Sequence, residues 1–276
     1  KEQGAARVVE AREVSIEDIK TMREKADIEI EAFVHGAMCI SYSGRCLLSN
    51  YMTNRDANRG ACTQACRWKY NLVEENRPGE YYPIEEDEHG TYIFNSKDLC
   101  LLKYIPELYK AGVDSLKIEG RMKSVHYAAT GSKVYREAID TFLEEGDDWY
   151  VRDEWYAELE KISHRPYTEA FAMEKPGEEA QNYGKSSNTQ THDFIGLVEG
   201  YNAEEGYAYM EQRNNFKVGE EFCQPHGPLV KHVITRMTDE DGNDIDVAKH
   251  AQMKLRLYID TPLEEYSMMR RETKQK

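Results

Sequence analysis

The sequence predicts an α/β fold: the C-terminal part of a TIM-like (β/α) barrel with a Cys-rich insert, followed by a small C-terminal β-barrel domain. Strand-like and helix-like patterns alternate over residues 1–148, which is typical of parallel strands joined by crossover helices. Short strands and turns replace that pattern from residue 193 onward. Four predicted strands cannot close a barrel of eight, so we expect the first half of a barrel to be absent from this chain. A complete small open sheet is the alternative.

The barrel region, residues 1–148, contains four predicted strands and three predicted helices. Ser15 and Asp18 have the spacing of a capping box and predict the start of the first helix. Asn95 and Ser96 are predicted to cap the second helix. The strands are predicted at 6–13, 28–34, 91–94 and 115–119, the helices at 15–25, 95–111 and 124–145, and the insert at 36–80.

The remaining chain divides into a connector and a β region. Residues 149–192 are predicted to form a helical and irregular connector that begins with a charged helix over 149–162. The segment 193–276 is predicted to form the small β-barrel, because short apolar strands alternate there with turn residues. Asp241 and Gly242 supply one such turn signal between two strands.

The charge of the chain is acidic overall but unevenly spread. The 276 residues carry a formal net charge of −15, and an acidic chain repels nucleic acid unless its basic side chains cluster. Two segments, 45–70 and 117–136, each contain five basic residues and one acidic residue. Aromatic residues interleave with the first segment, which suits a polyanion with exposed bases; ordinary solvated loop charge is the alternative. The residues expected to bind RNA or an anionic small molecule are Arg45, Arg67, Lys69, Lys123 and Arg136.

The hydropathy of the sequence predicts the compartment in which the protein works. No apolar run approaches the roughly 20 residues that span a bilayer, and residues 1–6 lack the apolar core of a signal peptide. We therefore expect a cytoplasmic protein that does not cross a membrane. In that compartment, clustered cysteines are more often metal ligands or redox groups than disulfides.

Four of the six cysteines fall within 28 positions of the insert. Their spacing lacks the C-x2-C knuckle of most zinc sites and favours a loop that wraps a larger object, such as an iron–sulfur cluster. Structural zinc and four reduced, packed thiols are the alternatives. Cys100 and Cys223 are expected to be buried and to take no part in the site. The metal-ligand candidates are Cys39, Cys46, Cys62 and Cys66.

Polar side chains follow each predicted strand, and in parallel α/β folds the functional residues gather at the C-terminal ends of strands. His35 follows the second strand, and Glu119 and Arg121 lie at the end of the fourth. We therefore take Glu119, His35 and Arg121 as the catalytic candidates, with solvated loop residues as the alternative. Glu31 lies in mid-strand and would need a basic partner if enclosed; Arg12 or Arg121 are the candidates.

The stretch 31–49, EAFVHGAMCISYSGRCLLS, resembles the signature of the U32 peptidase family, the collagenase-like peptidases. Stretches at 54–70, 92–99, 115–124, 134–140 and 163–171 are similar to the same family. The chain most resembles the branch that acts in prephenate-dependent hydroxylation of tRNA wobble uridine. The ten signature positions that fit are Glu31, Phe33, Gly36, Ala37, Met38, Cys39, Gly44, Cys46, Leu48 and Ser49.

The resemblance implies a cofactor, a co-substrate and a partner: a 4Fe–4S cluster on the four insert cysteines, prephenate, and tRNA. It also implies that roughly the first third of a full-length member is missing. Our first hypothesis is therefore a tRNA-modification enzyme that hydroxylates wobble uridine at position 5, with Glu119 and His35 as proton-transfer groups. A metal-dependent collagenase-like peptidase and an RNA-binding accessory subunit with a structural cluster are the alternatives.

Overall fold

The computed structural model describes residues 2–39, 41–68, 71–72, 82–83, 96–176, 189–225 and 230–273. The chain divides into two compact units. The first unit comprises residues 1–123, 131–152 and 164–189, and the second unit comprises residues 124–130, 153–163 and 190–276. Across these described ranges, no helix is long and apolar enough to cross a membrane.

The first unit is built on a mixed sheet with helices, and a further short strand pair, β3 with β4, lies apart from that sheet. Its last helix, α4, begins in residues that belong to the second unit. In chain order the elements are β1 (Arg7–Val9), α1 (Ile16–Lys25), β2 (Glu29–Ala37), α2 (Leu48–Thr53), β3 (Asn71–Leu72), β4 (Tyr82–Pro83), β5 (Asp98–Cys100), α3 (Ile105–Lys110), β6 (Ser115–Ile118), α4 (Val125–Glu145) and β7 (Tyr167–Thr168).

Strand β2 is central to this sheet and pairs in parallel with both β1 and β6. Val8 lies opposite Ile30, and Leu116 lies opposite Ala32. Ile30, Ala32 and Val34 are buried, as alternate positions on one face of a strand are when helices cover that face. Because the three strands are parallel, their C-terminal ends lie at the same edge of the sheet.

The start of the first helix agrees with the prediction. The Asp18 backbone N–H donates to the Ser15 hydroxyl at 3.1 Å, and the Ser15 N–H donates to the Asp18 carboxylate at 3.3 Å. This capping box satisfies two backbone donors at the N-terminus of α1. This capping box fixes the start of α1 at Ile16. The preceding strand, β1, is shorter than the strand predicted at 6–13.

The predicted helix at 95–111 is wrong over its first half. Residues 98–100 form β5, which pairs antiparallel with the end of β2, His35 opposite Cys100. The helix α3 starts at Ile105 and carries Pro106 in its first turn. Proline lacks the backbone N–H that a helix starting near residue 95 would require at that position. The sheet is therefore mixed and not wholly parallel as expected, and the predicted strand at 91–94 lies outside the described residues.

Antiparallel strands build the second unit, in agreement with the β region predicted there. Its elements are α5 (Asp153–Leu159), β8 (His192–Asn202), β9 (Tyr207–Gln212), β10 (Phe216–Lys217), β11 (Glu221–Cys223), β12 (Lys231–Val233), β13 (Arg236–Thr238), β14 (Val247–Ala248), β15 (Lys254–Tyr258) and β16 (Met268–Glu272). The larger sheet has the order β12, β11, β16, β8, β9, β15, β13, and β10 pairs with β14.

The second unit has its own core and one buried ion pair. Ile195, Met210 and Leu257 belong to a single cluster of buried apolar side chains. Arg270 of β16 is fully buried, and both of its terminal nitrogens reach Glu158 of α5, at 2.8 and 3.0 Å. This ion pair joins α5 to β16 within the second unit. Helix α5 is shorter than the helix predicted at 149–162.

Candidate functional site

The C-terminal ends of the three parallel strands carry a cluster of charged side chains. Glu10 and Arg12 follow β1, Cys39 follows β2, and Glu119 and Arg121 follow β6. The structure therefore brings these strand-end residues to one edge of the sheet, and the catalytic roles of Glu119 and Arg121 stay predictions. Glu10 was not a candidate, because the predicted strand at 6–13 placed it in mid-strand, whereas β1 ends at Val9. Arg12 entered the prediction as a candidate partner of Glu31.

Glu119 connects two of these strand ends. One of its carboxylate oxygens lies 3.7 Å from the Arg12 guanidinium, and the other accepts the Arg121 backbone N–H at 3.0 Å. Its own N–H donates to the His35 carbonyl at 2.8 Å. A Cβ at Gly36, whose φ is +124°, would lie 2.5 Å from the Glu119 carbonyl oxygen, so only glycine allows this close approach. The Glu119 side chain remains 36% exposed, which leaves it accessible to a substrate.

Arg12 lies between the carboxylate and the cysteine-rich insert. The carbon of its guanidinium lies 3.8 Å from the centre of the Phe33 ring, a cation–π contact. Burial lowers the pKa of Arg12, while the nearby negative groups, Glu119 first and Cys39 next, raise it. An arginine stays protonated under such a shift, so Arg12 supplies a fixed positive charge beside Glu119 and Cys39.

Glu10 is a buried acid beside a small cavity. One oxygen accepts the Phe33 N–H at 3.0 Å, and within the described part of the chain no hydrogen-bond donor reaches the other. Burial raises the pKa of Glu10 to about 7. The cavity is about 10 Å³ and is lined by Glu10, Arg12, Phe33 and mostly apolar side chains, which is room for a single water.

His35 lies at the end of β2, as predicted, but it is fully buried. Its ring contacts those of Tyr135 and Tyr167, with centres 5.6 and 5.3 Å away. Burial lowers the pKa of His35 to about 3, with smaller contributions from the charges of His164 and Lys123. His35 is therefore neutral near pH 7 and closed to solvent, and its proton-transfer role stays a prediction.

None of the four insert cysteines forms a disulfide. Cys39 is an exposed residue, but partial desolvation of its thiol raises the pKa of Cys39, and the nearby Cys46 and Cys62 add smaller contributions in the same direction. The Gln64 N–H donates to the Cys62 sulfur at 3.3 Å, a contact that also tunes ligand sulfurs in iron–sulfur proteins. Among the described residues, no three His, Cys, Asp or Glu side chains stand close enough together to hold a metal ion. The donor chemistry fits a thiolate-bound cluster, and Cys100 and Cys223 are buried as predicted.

The predicted anion-binding residues lie in different surroundings. Arg45 is exposed in the insert, whereas Lys123 is mostly covered and lies 3.9 Å from the buried carboxylate of Asp98. Arg136 is an exposed residue of α4 that pairs with Asp140 one turn away. The backbone at residue 67 forms a 3-10 turn, and Lys69 lies outside the described residues. Arg45 is therefore the predicted basic residue best placed to meet a large anion.

The insert also exposes apolar and aromatic side chains. Tyr51 is 87% exposed, and Tyr42, Leu47 and Trp68 are exposed as well. Several exposed apolar and aromatic side chains in one insert that also exposes Arg45 and Arg55 are typical of an interaction surface.

The expected partners of Glu31 were wrong. Its carboxylate pairs with Lys117 at 2.6 Å and with Arg7 at 3.0 Å, and not with Arg12 or Arg121. The two ion pairs, Lys117 first, lower the pKa of Glu31 to about 2. The pairing of β1 and β6 with β2 places these bases beside it, and sequence spacing alone does not reveal that register.

Comparison with known proteins adds two family matches. A family model described as Peptidase family U32 matches residues 1–182, and one described as Peptidase family U32 C-terminal domain matches residues 190–270. The second match coincides with the β sheets of the second unit.

Three curated relatives show what similar chains are called. This chain is 44% identical to tRNA hydroxylation protein P1 of Bacillus subtilis, over 98% of this chain and 64% of that protein. It is 38% identical to tRNA hydroxylation protein P of Escherichia coli, over 89% of this chain and 62% of that protein. It is 30% identical to a collagenase of Porphyromonas gingivalis, over 84% of this chain and 58% of that protein. The chain thus spans a little under two thirds of the length of these relatives.

Proposed function

Because the chain belongs to peptidase family U32, we propose that it forms part of a tRNA-modification enzyme that hydroxylates wobble uridine at position 5. The observation that carries this proposal is the 44% identity to a tRNA hydroxylation protein across 98% of the chain. We further propose that the first sheet is part of a TIM-like barrel, that the second unit closes as a small β-barrel, and that the protein works in the cytoplasm, where tRNA is modified.

The cofactor we propose is a 4Fe–4S cluster held by Cys39, Cys46, Cys62 and Cys66. Four thiols that form no disulfide, within one insert at the strand ends, support it. Such a cluster supplies electrons one at a time. The chain's own contribution is the charge of Arg12, which interacts with Cys39, and the N–H of Gln64 directed at Cys62.

The partner we propose is an unpaired stretch of tRNA that docks on the exposed face of the insert. Unstacked bases bind aromatic side chains such as Tyr51 and Tyr42, while arginines meet the phosphates. Arg45 and Arg55 are exposed in the same insert. This local positive charge supports RNA docking in a chain whose overall charge is −15.

The co-substrate we propose is prephenate, an anionic ring. Arg12 and Lys117 offer positive charge for it, because their cationic groups lie 3.8 and 5.5 Å from the centre of the Phe33 ring. An aromatic face beside fixed positive charges suits a ring that bears carboxylates.

Glu119 is the proposed proton acceptor. Hydroxylation at C5 of a pyrimidine replaces the C5 hydrogen with a hydroxyl group and removes two electrons, which an added oxidant must accept. The C5 hydrogen leaves as a proton, and a base takes it up. The Glu119 carboxylate is partly exposed and is held by Arg12 and the Arg121 backbone, so its orientation is fixed before substrate binds.

Mass spectrometry of tRNA tests the function. In a strain that lacks the gene and has no paralogue, we expect 5-hydroxyuridine derivatives to disappear and to return when the full-length protein is supplied. A normal level of these nucleosides in the deletion strain would refute the proposal.

A second candidate is a collagenase-like peptidase, which the name of the P. gingivalis relative favours. It predicts that the pure full-length protein cleaves gelatin and loses that activity with a chelator. Gelatin cleavage that disappears in the Glu119→Gln variant, together with unchanged tRNA in the deletion strain, would favour this candidate instead.

A further inference from the structure

The cysteine-rich insert consists of two arms. The first arm, residues 41–46, leads from Cys39 to Cys46, and the second arm, residues 49–66, carries Cys62 and Cys66. A single iron–sulfur cluster requires ligands from both arms. The position of each arm against the sheet therefore decides whether all four thiols can bind the same cluster.

The first arm is tied to the end of β1. The Ser43 N–H and hydroxyl both donate to one oxygen of Glu13, at 2.8 and 3.1 Å. Glu13 lies in the connection between β1 and α1, two positions before the capping residue Ser15, so its backbone is held close to the start of the helix.

The second arm is tied to the end of β6. The Arg121 guanidinium donates to the Arg59 carbonyl at 3.3 Å. It fills the space beside Gly60, where an added Cβ would overlap its terminal nitrogen. Gly60 has φ +73°. Glycine at this position therefore permits the local turn and also leaves room for the Arg121 guanidinium.

Hydrogen bonds within the insert connect the two tethered arms to each other and to the residues next to the cysteines. The Asn58 amide donates to the Gly44 carbonyl at 3.2 Å and joins the two arms. The Thr63 N–H donates to the buried Ser49 hydroxyl at 3.0 Å. Cys62 lies between Gly60 and Thr63, so both flanks of this cysteine are fixed.

We propose that Glu13 and Arg121 are positioning residues that hold one arm each, so that the two cysteine pairs face a common site. The inference rests on the proposed cluster and deepens it. It assigns the Arg121 side chain to the insert, and not to substrate phosphates or to catalysis.

Gly60→Ala and Gly44→Ala form a matched pair for the test. Both glycines lie in the insert at nearly equal φ, +73° and +76°, but a Cβ at Gly44 meets nothing within 4 Å. Backbone strain is therefore common to both variants, and displacement of Arg121 is specific to Gly60→Ala.

Hydrogen exchange of the iron-free full-length protein measures the tethers without the cluster. We expect amides of residues 54–66 to exchange about fivefold faster in Gly60→Ala and Arg121→Ala than in the wild type, as for one lost hydrogen bond. Ser43→Ala should act only on the first arm. In the Arg121→Ala background, Gly60→Ala should add no more than Gly44→Ala does. Equal exchange in Gly60→Ala and Gly44→Ala would overturn the proposal.

Iron per chain after anaerobic reconstitution measures the consequence. We expect less iron in Gly60→Ala, Arg121→Ala and Ser43→Ala than in Gly44→Ala, with Arg121→Lys in between. Full iron in all tether variants would overturn the positioning role. A wild-type protein that binds no iron would refute the cluster itself, while the exchange data still decide whether the tethers exist.

Discussion

Each unit contains an arginine–glutamate pair, and the two pairs differ in every structural respect. In the second unit, Arg270 is fully buried and two of its nitrogens reach both oxygens of Glu158, at 2.8 and 3.0 Å. In the first unit, Arg12 reaches one oxygen of Glu119 at 3.7 Å, and that carboxylate is 36% exposed. The Arg270–Glu158 pair is closed to solvent, whereas the Arg12–Glu119 pair can still bind another ligand.

An arginine and a glutamate can therefore either stabilise the fold or remain available to bind a substrate, depending on how far they are buried. In the buried, bidentate pair the two charges are directed at each other, and Glu158 also accepts from Lys161, so this carboxylate has no free oxygen for a further ligand. A longer pair beside a cavity and a cysteine loop keeps charge available for a substrate. The predictions below test this contrast, from the largest expected effect to the smallest.

The largest effect is expected from Glu158→Gln. The substitution leaves the Arg270 charge buried without a carboxylate, so we expect the free energy of unfolding to fall by about 3 kcal/mol. Glu119→Gln should cost less than about 1 kcal/mol, because that pair is longer and partly solvated. Urea denaturation followed by tryptophan fluorescence, to which Trp149 of the first unit and Trp155 of the second unit contribute, measures both. Equal losses for the two variants would contradict the contrast.

Activity should show the opposite order. Glu119→Gln keeps an oxygen to accept the Arg121 N–H but cannot take up a proton, so we expect turnover to fall about hundredfold. Hydroxylation of substrate tRNA by the reconstituted full-length protein measures it. The matched control is Glu137→Gln, an exposed position on α4, which should keep normal turnover. Glu119→Gln with full activity would show that this carboxylate is not the base.

Two acids of the first unit should have opposite pH dependences. Burial raises the pKa of Glu10 from 4.5 to about 7, so the folded state binds this proton more tightly than the unfolded state. Its stabilising contribution is complete below pH 4.5 and is lost as the pH rises from 4.5 to 7. The pKa of Glu31 is lowered to about 2, so its contribution is present above pH 4.5 and is lost as the pH falls toward 2.

Glu10→Gln isolates the first of these two effects. At pH 8 the variant should be more stable than the wild type by about 2 kcal/mol, and near pH 4.5 the two should be similar. Urea denaturation at the two pH values measures the difference. The same pH dependence in both proteins would mean that Glu10 titrates as an ordinary exposed acid.

The sequence was sufficient for features that depend on local spacing or on strand direction. Ser15 and Asp18 marked a helix start, and parallel strands placed Glu119 and Cys39 at one edge of the sheet. Pro106 was a visible local signal against a helix from residue 95, and the capping residues Asn95 and Ser96 were given more weight. The expected absence of a role for Cys100 and Cys223 is consistent with their burial.

Features that depend on strand register or on long-range contacts could not be predicted. Burial of Glu10 depends on how β1 lies against β2, and the partners of Glu31 depend on the strands on both sides of it. Arg121 reaches Arg59, 62 positions earlier in the chain. No pattern in the sequence indicates that contact. The catalytic role predicted for Arg121 stays a prediction, and the tether proposed above is an alternative to it.

The smallest predicted effect concerns RNA affinity and asks which unit holds the RNA. Tyr51 of the insert is 87% exposed, and Tyr266 of the second unit is 72% exposed. Loss of one stacking side chain costs 1–3 kcal/mol per base, so Tyr51→Ala should weaken tRNA binding about tenfold. Tyr266→Ala should leave it unchanged, because the two residues before it, Glu264 and Glu265, are acidic and Arg270, four positions after it, is buried. Titration of both full-length variants with labelled tRNA at one fixed salt concentration measures the difference. Equal weakening by both would place RNA contacts on both units, and weakening by Tyr266→Ala alone would move the RNA surface to the second unit.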